Sequence, residues 1–278
     1  MKLPSRFWAD LTSRQFSQLA FSAGIEKTVA VVPVAATEQH GPHLPVSVDS
    51  TLVDGVVQAA LPHLPADLPV LFMPTQTIGL SPEHIRFPGT LTLSARTLIA
   101  VWMELGACAA RAGIKKLVFL NSHGGQVSVM DIVARDLRTA HDLIVYHMCW
   151  YNLPLGDAVT GLFPPEEHRF GIHGGDMETS MMLALKPGLV DMAQAQNFRS
   201  TSKDRSEKYP ILGNGKSAKL GWQMQDYNPH GAAGNAAAAT AEKGHALINA
   251  AGLQLARLLQ EVSDLPLTTL NPTPTPWP

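Results

Sequence analysis

The chain has 278 residues, of which 45% are hydrophobic and 16% are charged, and its formal net charge is −2. Without a basic block it is not expected to bind nucleic acid, and two cysteines argue against a disulfide framework. Because the N-terminus lacks a signal-peptide core and no apolar window reaches the ~18 residues of a membrane span, we expect a cytoplasmic protein with no membrane partner.

Short apolar runs alternate along the chain with longer amphipathic segments. The predicted strands are Thr28–Val34, Val70–Met73, Lys116–Leu120 and Leu143–Met148. The predicted helices are Thr51–Leu61 with Ser50 as N-cap, a Ser94-capped helix to about Ala112 closed by Gly113, Val127–Ala140, Met177–Leu185 and Asn235–Val262. This alternation predicts an α/β fold with a mostly parallel sheet covered on both faces.

Residues 1–263 are expected to form one domain. The polar segment Ala193–Gly221 is predicted to be a long surface loop, and its length suits a lid or a subunit contact, with simple disorder as the next alternative. Residues 264–278 include PTPTPWP and predict an extended tail. The low charge fraction, with 21 prolines and 22 glycines, favours a homo-oligomer.

Polar residues cluster where predicted strands end or helices begin. The three sets are Glu38–His43 with Asp49, Asn121–Gln126, and His173–Ser180. Since ligands of parallel sheets bind beyond the carboxyl ends of the strands, one edge of the sheet could bring these sets together.

Each set also has a simpler interpretation. Asp49 and Ser50 could cap a helix, and Asp176 with Glu178 could favourably meet a helix dipole. Asn-Ser-His-Gly-Gly could be a phosphate-binding turn, although it lacks the lysine of a P-loop, and Ser122 lies in no nucleophile elbow. A metal accounts for all three sets at once, whereas the simpler interpretations need a separate explanation for each.

Carboxylates and imidazoles without thiolates suit zinc, manganese, iron or cobalt. Glu38, His40, Asp49, His123 and one more carboxylate would suffice for two ions. Two neighbouring ions can activate a shared water and polarise a carbonyl, so the set predicts hydrolytic chemistry.

Four motifs in this order resemble the creatininase family of metal-dependent amide hydrolases. They are TEQHGPHLPVSVD, SPEHIRFPGT, NSHGG and HGGDMETS, and the resemblance extends from about Trp8 to Gly244. It implies a three-layer α/β/α sandwich and a dinuclear site, with two divalent ions (Zn, Mn or Fe) per subunit, that hydrolyses C–N bonds, often of cyclic amides. The creatinine-hydrolysing members form hexamers, so the resemblance adds a hexamer to the expected oligomers.

The resemblance also implies ligand roles. Glu38 and His123 would hold one ion and His40 the other, with Asp49 bridging both. Creatinine hydrolases carry a metal-binding glutamate at the position of Gly125. Members with His-Gly-Gly use the glutamate of the E-T-S segment instead, which makes Glu178 the expected fifth ligand and places creatinine itself in doubt.

The expected reaction is attack of a metal-bridging hydroxide on an amide carbonyl of a small cyclic amide. His173, expected to titrate near neutrality, would protonate the leaving nitrogen, and we group it with Glu178 as a catalytic residue. Two alternatives stay open: a hydrolase of a linear formamide or short peptide in cofactor maturation, and a non-catalytic metal-bound sensor or scaffold.

Residues beside the motifs receive weaker expectations. Asp176 would orient a ligand, and His43 would donate a hydrogen bond to one. Glu83 and His84 would belong to the pocket wall or a subunit interface. Trp150 and Tyr151 would either line the pocket or pack in the core.

Overall fold

The computed structural model describes residues 2–271, 273 and 276–277. A parallel four-stranded sheet lies at its centre, with strand order β2-β1-β3-β4. The strands are β1 (Val29–Val34), β2 (Val70–Phe72), β3 (Lys116–Asn121), β4 (Ile144–Cys149) and a small antiparallel pair, β5 (Asn197–Phe198) and β6 (Gly234–Asn235).

The α-helices follow the strands or connect them. They are α1 (Ser13–Ala20), α2 (Val48–Ala60), α3 (Ala95–Arg111), α4 (Val127–His141), α5 (Asp157–Thr160), α6 (Pro165–Phe170), α7 (Asp176–Leu185), α8 (Ser202–Lys208), α9 (Met224–Tyr227) and α10 (Ala241–Asp264).

Side chains of the central strands alternate between two apolar cores, as a period of two requires. On one face Val31 and Val118 pack with residues of α2, α7 and α10. On the other face Val32 and Phe119 pack with residues of α3 and α4, around the fully buried Trp102. The helices therefore cover both faces of the sheet, and the three-layer α/β/α fold is confirmed.

Most predicted element boundaries hold, and the Ser94 cap is present because its hydroxyl accepts a hydrogen bond from the Thr97 amide. The start of α2 was predicted wrongly: the helix begins at Val48, and the Ser50 hydroxyl donates to the Ser47 carbonyl instead of capping. Asp49 consequently lies in the first helical turn rather than before it.

Two other predictions need correction. The long last helix begins at Ala241 behind a Thr240 cap, because Asn235 pairs with Asn197 in the small sheet. Segment 193–221 is not a plain loop, since it contains β5 and α8; its role as a lid stays a prediction.

Beyond Asp264, the last residue of α10, a 3-10 turn covers Leu267–Thr269. The predicted extended tail falls partly outside the described residues, which omit 272, 274, 275 and 278. The predicted single domain and the oligomeric state stay predictions. Among the described residues, no helix is both long and apolar enough to cross a membrane.

Candidate metal centre

The parallel pairing of β1 with β3 brings the first two polar sets together. Val34 and Asn121 are register partners at the carboxyl ends of the two strands. Glu38 and His40 follow β1, and His123 follows β3, so their side chains meet at one edge of the sheet. All three are buried.

Glu38 lies at the middle of the cluster. Its Oε1 atom is 3.1 Å from His123 Nδ1, 3.4 Å from His84 Nε2 and 3.8 Å from His173 Nδ1. One carboxylate oxygen is thus surrounded by three imidazoles from three separate chain segments.

Asp49 lies between His40 and His123, which are predicted ligands of different ions. Its Oδ1 atom is 3.7 Å from His40 Nε2, and its Oδ2 atom is 3.6 Å from His123 Nδ1. Both separations exceed hydrogen-bond length, so the carboxylate faces two imidazoles without bonding either. This is the position that a bridging ligand requires.

Four of the predicted ligand atoms lack hydrogen-bond partners within the described part of the chain. Both oxygens of Glu38, Nε2 of His40 and Oδ2 of Asp49 are buried and accept or donate no hydrogen bond. Buried polar atoms without partners are costly, and two carboxylates and an imidazole arranged in this way match the preferences of divalent cations. The residues therefore fit a metal, with Glu38, His40 and Asp49 offering ligand atoms within 4.8 Å of one another.

Glu178 reaches the cluster from the first turn of α7. It shares a second possible metal group with His40 and His173, again within 4.8 Å, and its Oε2 atom accepts a hydrogen bond from the Gly174 amide. Burial and the neighbouring Asp49 outweigh the effect of His40 and raise the pKa of Glu178 to about 7. The structure brings all five predicted ligands together.

Burial and neighbouring charges shift the pKa values of the imidazoles in the cluster in opposite directions. Burial opposes protonation of His40, but the adjacent Asp49 outweighs it and raises the pKa of His40 to about 9. Burial, with His40 and His84 on either side, lowers the pKa of His173 well below its usual range. His173 is thus neutral at pH 7, contrary to the expected titration near neutrality.

Hydrogen bonding assigns the tautomer of His173. Its Nε2 atom is 2.7 Å from the Gln39 carbonyl oxygen, to which it donates, and this leaves a lone pair on Nδ1 facing Glu38. The ring stacks between His40 and His84, with centroid distances of 4.1 and 4.2 Å. Its orientation is therefore closely constrained.

His84 and Gln39 were not predicted to reach the ligands. The Gln39 amide oxygen accepts from the Gly41 amide, so its nitrogen donates to His84 Nδ1 at 2.7 Å and leaves the proton on His84 Nε2, facing Glu38. His84 also shares a possible metal group with Glu38 and His173. The sequence signal was that Gln39 lies in the motif TEQHGPHLPVSVD and His84 in the motif SPEHIRFPGT.

The other expectations have mixed outcomes. Asp176 does not contact the ligands, because its carboxylate oxygens bond Lys243 Nζ at 2.6 Å and Ser180 Oγ at 3.0 Å. His43 bonds the Thr179 hydroxyl rather than a ligand. Trp150 donates to the Ser122 hydroxyl.

Glu167 was also missed, and it organises the segment that carries His173. Its two oxygens accept hydrogen bonds from the Asp176 and Asn235 amides at 2.7 and 2.8 Å. A Cβ atom at Gly175 would lie 2.2 Å from one of these oxygens, so only glycine fits there. One buried carboxylate thus ties the start of α7 to the small sheet.

A cavity of about 580 Å³ opens beside the cluster. Aromatic side chains from three segments line it: Trp150, Tyr151, Trp222 and Tyr227. Glu38, His123, His173 and Glu178 reach the same cavity, so the possible metal ligands face a space large enough for an organic molecule.

Two characterised enzymes are similar to this chain in sequence. A peptidase of the mycofactocin precursor peptide from Mycobacterium tuberculosis is 34% identical over 166 residues, which cover 58% of this chain. The match spans only 59% of that relative's length. The creatinine amidohydrolase of Pseudomonas putida is 30% identical over 220 residues, covering 74% of this chain and 82% of that one.

Solved structures and a family model give the same relationship as the sequence relatives. A solved creatininase variant of the Zn–Zn type is 26% identical, with a TM-score of 0.70 over 92% of this chain and 98% of that one. The model of the creatininase family, described as creatinine amidohydrolase, matches residues 9–259. By its ordered motifs, its three-layer fold and this match over most of its length, the chain belongs to the creatininase family.

Proposed function

We propose that the chain is a dinuclear metal-dependent amidohydrolase that cleaves a C–N amide bond. The observation that carries this proposal is the convergence of buried, unpartnered ligand atoms of Glu38, His40 and Asp49, beside an aromatic cavity whose wall includes Glu38. A scaffold protein gains nothing from exposing such a cluster to a cavity.

The proposed ligand sets combine the roles that the family implies with the contacts of Glu38, His40, Asp49 and His123. Glu38, Asp49 and His123 would hold one ion, and His40, Asp49 and Glu178 the other. Two bound ions would supply an acidified water and polarise the amide carbonyl. Among the relatives, the Zn–Zn creatininase supports zinc, and the set of oxygen and nitrogen ligands also suits manganese or iron.

His173 is the proposed proton carrier. Its neutral ring presents the Nδ1 lone pair to the cluster, while Nε2 stays bonded to the Gln39 carbonyl. Nδ1 can therefore take a proton from the attacking water and return it to the leaving nitrogen, which departs as an amine. The stacked rings of His40 and His84 hold Nδ1 in place for both transfers.

For the substrate, the cavity favours an amide larger than a single small ring. A volume of about 580 Å³ leaves room beside the ligands for several more atoms, and the aromatic walls suit apolar or planar groups. Similarity to a peptidase supports a short peptide, and similarity to creatinine amidohydrolase supports a cyclic amide as the second candidate.

Metal content tests the centre itself. Protein purified without chelator should carry two divalent ions per chain by elemental analysis, and Asp49→Asn should lose both because it removes the shared charge. Asp54→Asn is the matched control, since Asp54 lies on the same helix but is exposed and bonds Thr75. Far less than one ion per chain in the unmodified protein would refute the centre.

A substrate panel tests the reaction. Short peptides, formamides, lactams, cyclic ureides and creatinine should be compared for amine or acid release, with and without chelator. Turnover of one class that chelator abolishes supports the proposal. Bound metal without turnover of any class would favour the sensor or scaffold alternative.

A further inference from the structure

The space beside Gly125 is already filled by another residue. A Cβ atom built on Gly125 would lie 1.8 Å from Glu83 Oε1 and 2.6 Å from His123 Nε2. No side chain at position 125 can coexist with these atoms where they are. The buried Glu83 carboxylate, which comes from the turn after β2, thus occupies the volume that glycine leaves free.

The two nitrogens of His123 face different surroundings. Nδ1 is 3.1 Å from Glu38 and 3.6 Å from Asp49, which are both proposed ligands. On the opposite side, Nε2 is 2.9 Å from the Leu80 carbonyl oxygen and 3.3 Å from Glu83 Oε1. Because Nε2 meets these acceptors, it keeps a proton, and Nδ1, which faces Glu38 and Asp49, is the nitrogen that would give up its proton to bind a metal.

We propose that Glu83 is a positioning residue for the metal ligand His123, and that glycine at position 125 is required to make room for it. A carboxylate behind a ligating imidazole fixes the orientation and tautomer of the ring and increases its basicity. This inference rests on the proposed metal centre.

Glu83 is better placed for this role than for ligation. It shares a possible metal group with Glu38 and His123, but its contact with the ring is to Nε2, on the side away from Asp49. It also precedes His84, whose Nε2 faces Glu38, so one short turn supports the site at two adjacent positions. Loss of Glu83 would leave the five proposed ligands in place but remove the only charged partner of His123 Nε2 among the described residues, so that the ring is held there by the Leu80 carbonyl and the Ser81 hydroxyl.

The test measures the affinity of metal-free protein for Zn²⁺ and Mn²⁺ by competition with a chromophoric chelator. Glu83→Ala should bind 10–100-fold more weakly than the unmodified protein, a typical loss for such a partner, yet still reach two ions per chain at saturation. Glu83→Gln keeps an acceptor oxygen and should recover most of this loss, which a purely structural role would not predict.

Gly125→Ala should weaken metal binding as well, because its methyl group displaces the Glu83 carboxylate. Gly124→Ala is the matched control, since a Cβ atom there meets only the Tyr151 hydroxyl at 3.8 Å, and it should bind as the unmodified protein does. Denaturation of each metal-free variant checks that the fold is retained.

Three results would overturn the inference. First, the metal affinity of Glu83→Ala could lie within twofold of that of the unmodified protein. Second, Glu83→Ala and Glu83→Gln could each hold only one ion at saturation, which would make Glu83 a ligand. In both cases the metal centre survives and only the role of Glu83 fails. If the unmodified protein binds no divalent ion, the proposed function fails too.

Discussion

Asp49 could be selected as a ligand from its distance to Glu38 and His40 along the chain, but its contacts depend on three-dimensional packing. Carboxylates and imidazoles crowded after a β-branched run are a strong local signal, and the structure does bring the five selected side chains together. Glu83 and Gln39 carried no such signal. Their contacts with imidazoles arise only when β1, β2 and β3 lie side by side.

His173→Ala is expected to keep both ions and lose turnover. The ring contributes no proposed ligand atom, whereas its Nδ1 atom is the proposed proton carrier, and general acid–base groups contribute about 10²–10⁴-fold in rate. Elemental analysis and single-turnover assays on the reactive panel member check this.

His63→Ala is the control for His173→Ala, because His63 is exposed on the turn after α2. Unchanged turnover in His173→Ala would remove the residue from the mechanism. Loss of one ion would instead assign it as a ligand, beside His40 and Glu178.

The helix α2 shows why element boundaries were harder to predict than elements. Both Ser47 and Ser50 suit an N-cap by residue type, and neither side chain caps the helix in the structure. Burial of Val48 and Asp49 decides the start, and burial is a tertiary property. In the same way, pairing of Asn235 with Asn197 overrides the helix propensity of the alanines that follow.

Glu167→Ala is expected to destabilise the fold by about 3 kcal/mol, because the buried Asp176 amide at the start of α7 and the half-buried Asn235 amide in β6 lose a charged acceptor. Glu167→Gln should also destabilise, since its amide group offers only one oxygen for two donors. Denaturant unfolding of the metal-free protein measures both changes.

Glu166→Ala is the neighbouring control. Glu166 forms an exposed ion pair with Lys203, and such pairs contribute at most about 1 kcal/mol. If Glu166→Ala and Glu167→Ala lower the unfolding free energy equally, Glu167 does not tie these segments together.

The layered architecture of the whole molecule was the most predictable feature. Alternating apolar runs and amphipathic segments specify a parallel sheet between helices, and the two cores around Val31 and Phe119 follow from strand periodicity alone. The small sheet of β5 and β6 was not predictable, because two-residue strands have no period to detect.

Added Mn²⁺ is expected to stabilise the metal-free protein, by about 2.7 kcal/mol per site at 100 times the dissociation constant. This gain should grow as the pH rises from about 7 to 9. The pKa of His40 is raised to about 9 from 6.5, so its protonated form stabilises the metal-free fold below pH 6.5, and that contribution is lost as the pH rises through 9. Metal must displace the same proton, so protonation of His40 competes less with metal binding at higher pH.

Denaturant unfolding with and without Mn²⁺ at several pH values measures this gain. Asp49→Asn should show no gain at any pH. A gain that falls between pH 7 and 9 in the unmodified protein would contradict the assignment of His40 as a ligand.

The distribution of the cluster along the chain determines when it can form during synthesis. Glu38 and Glu178 are half the chain apart, and β1 must pair with β3 before Glu38 meets His123. At ~5–20 residues per second, the ribosome needs several seconds to make the intervening segment. The early carboxylates and imidazoles therefore leave the ribosome well before Glu178, and the proposed metal centre can be complete only after α7 has been made.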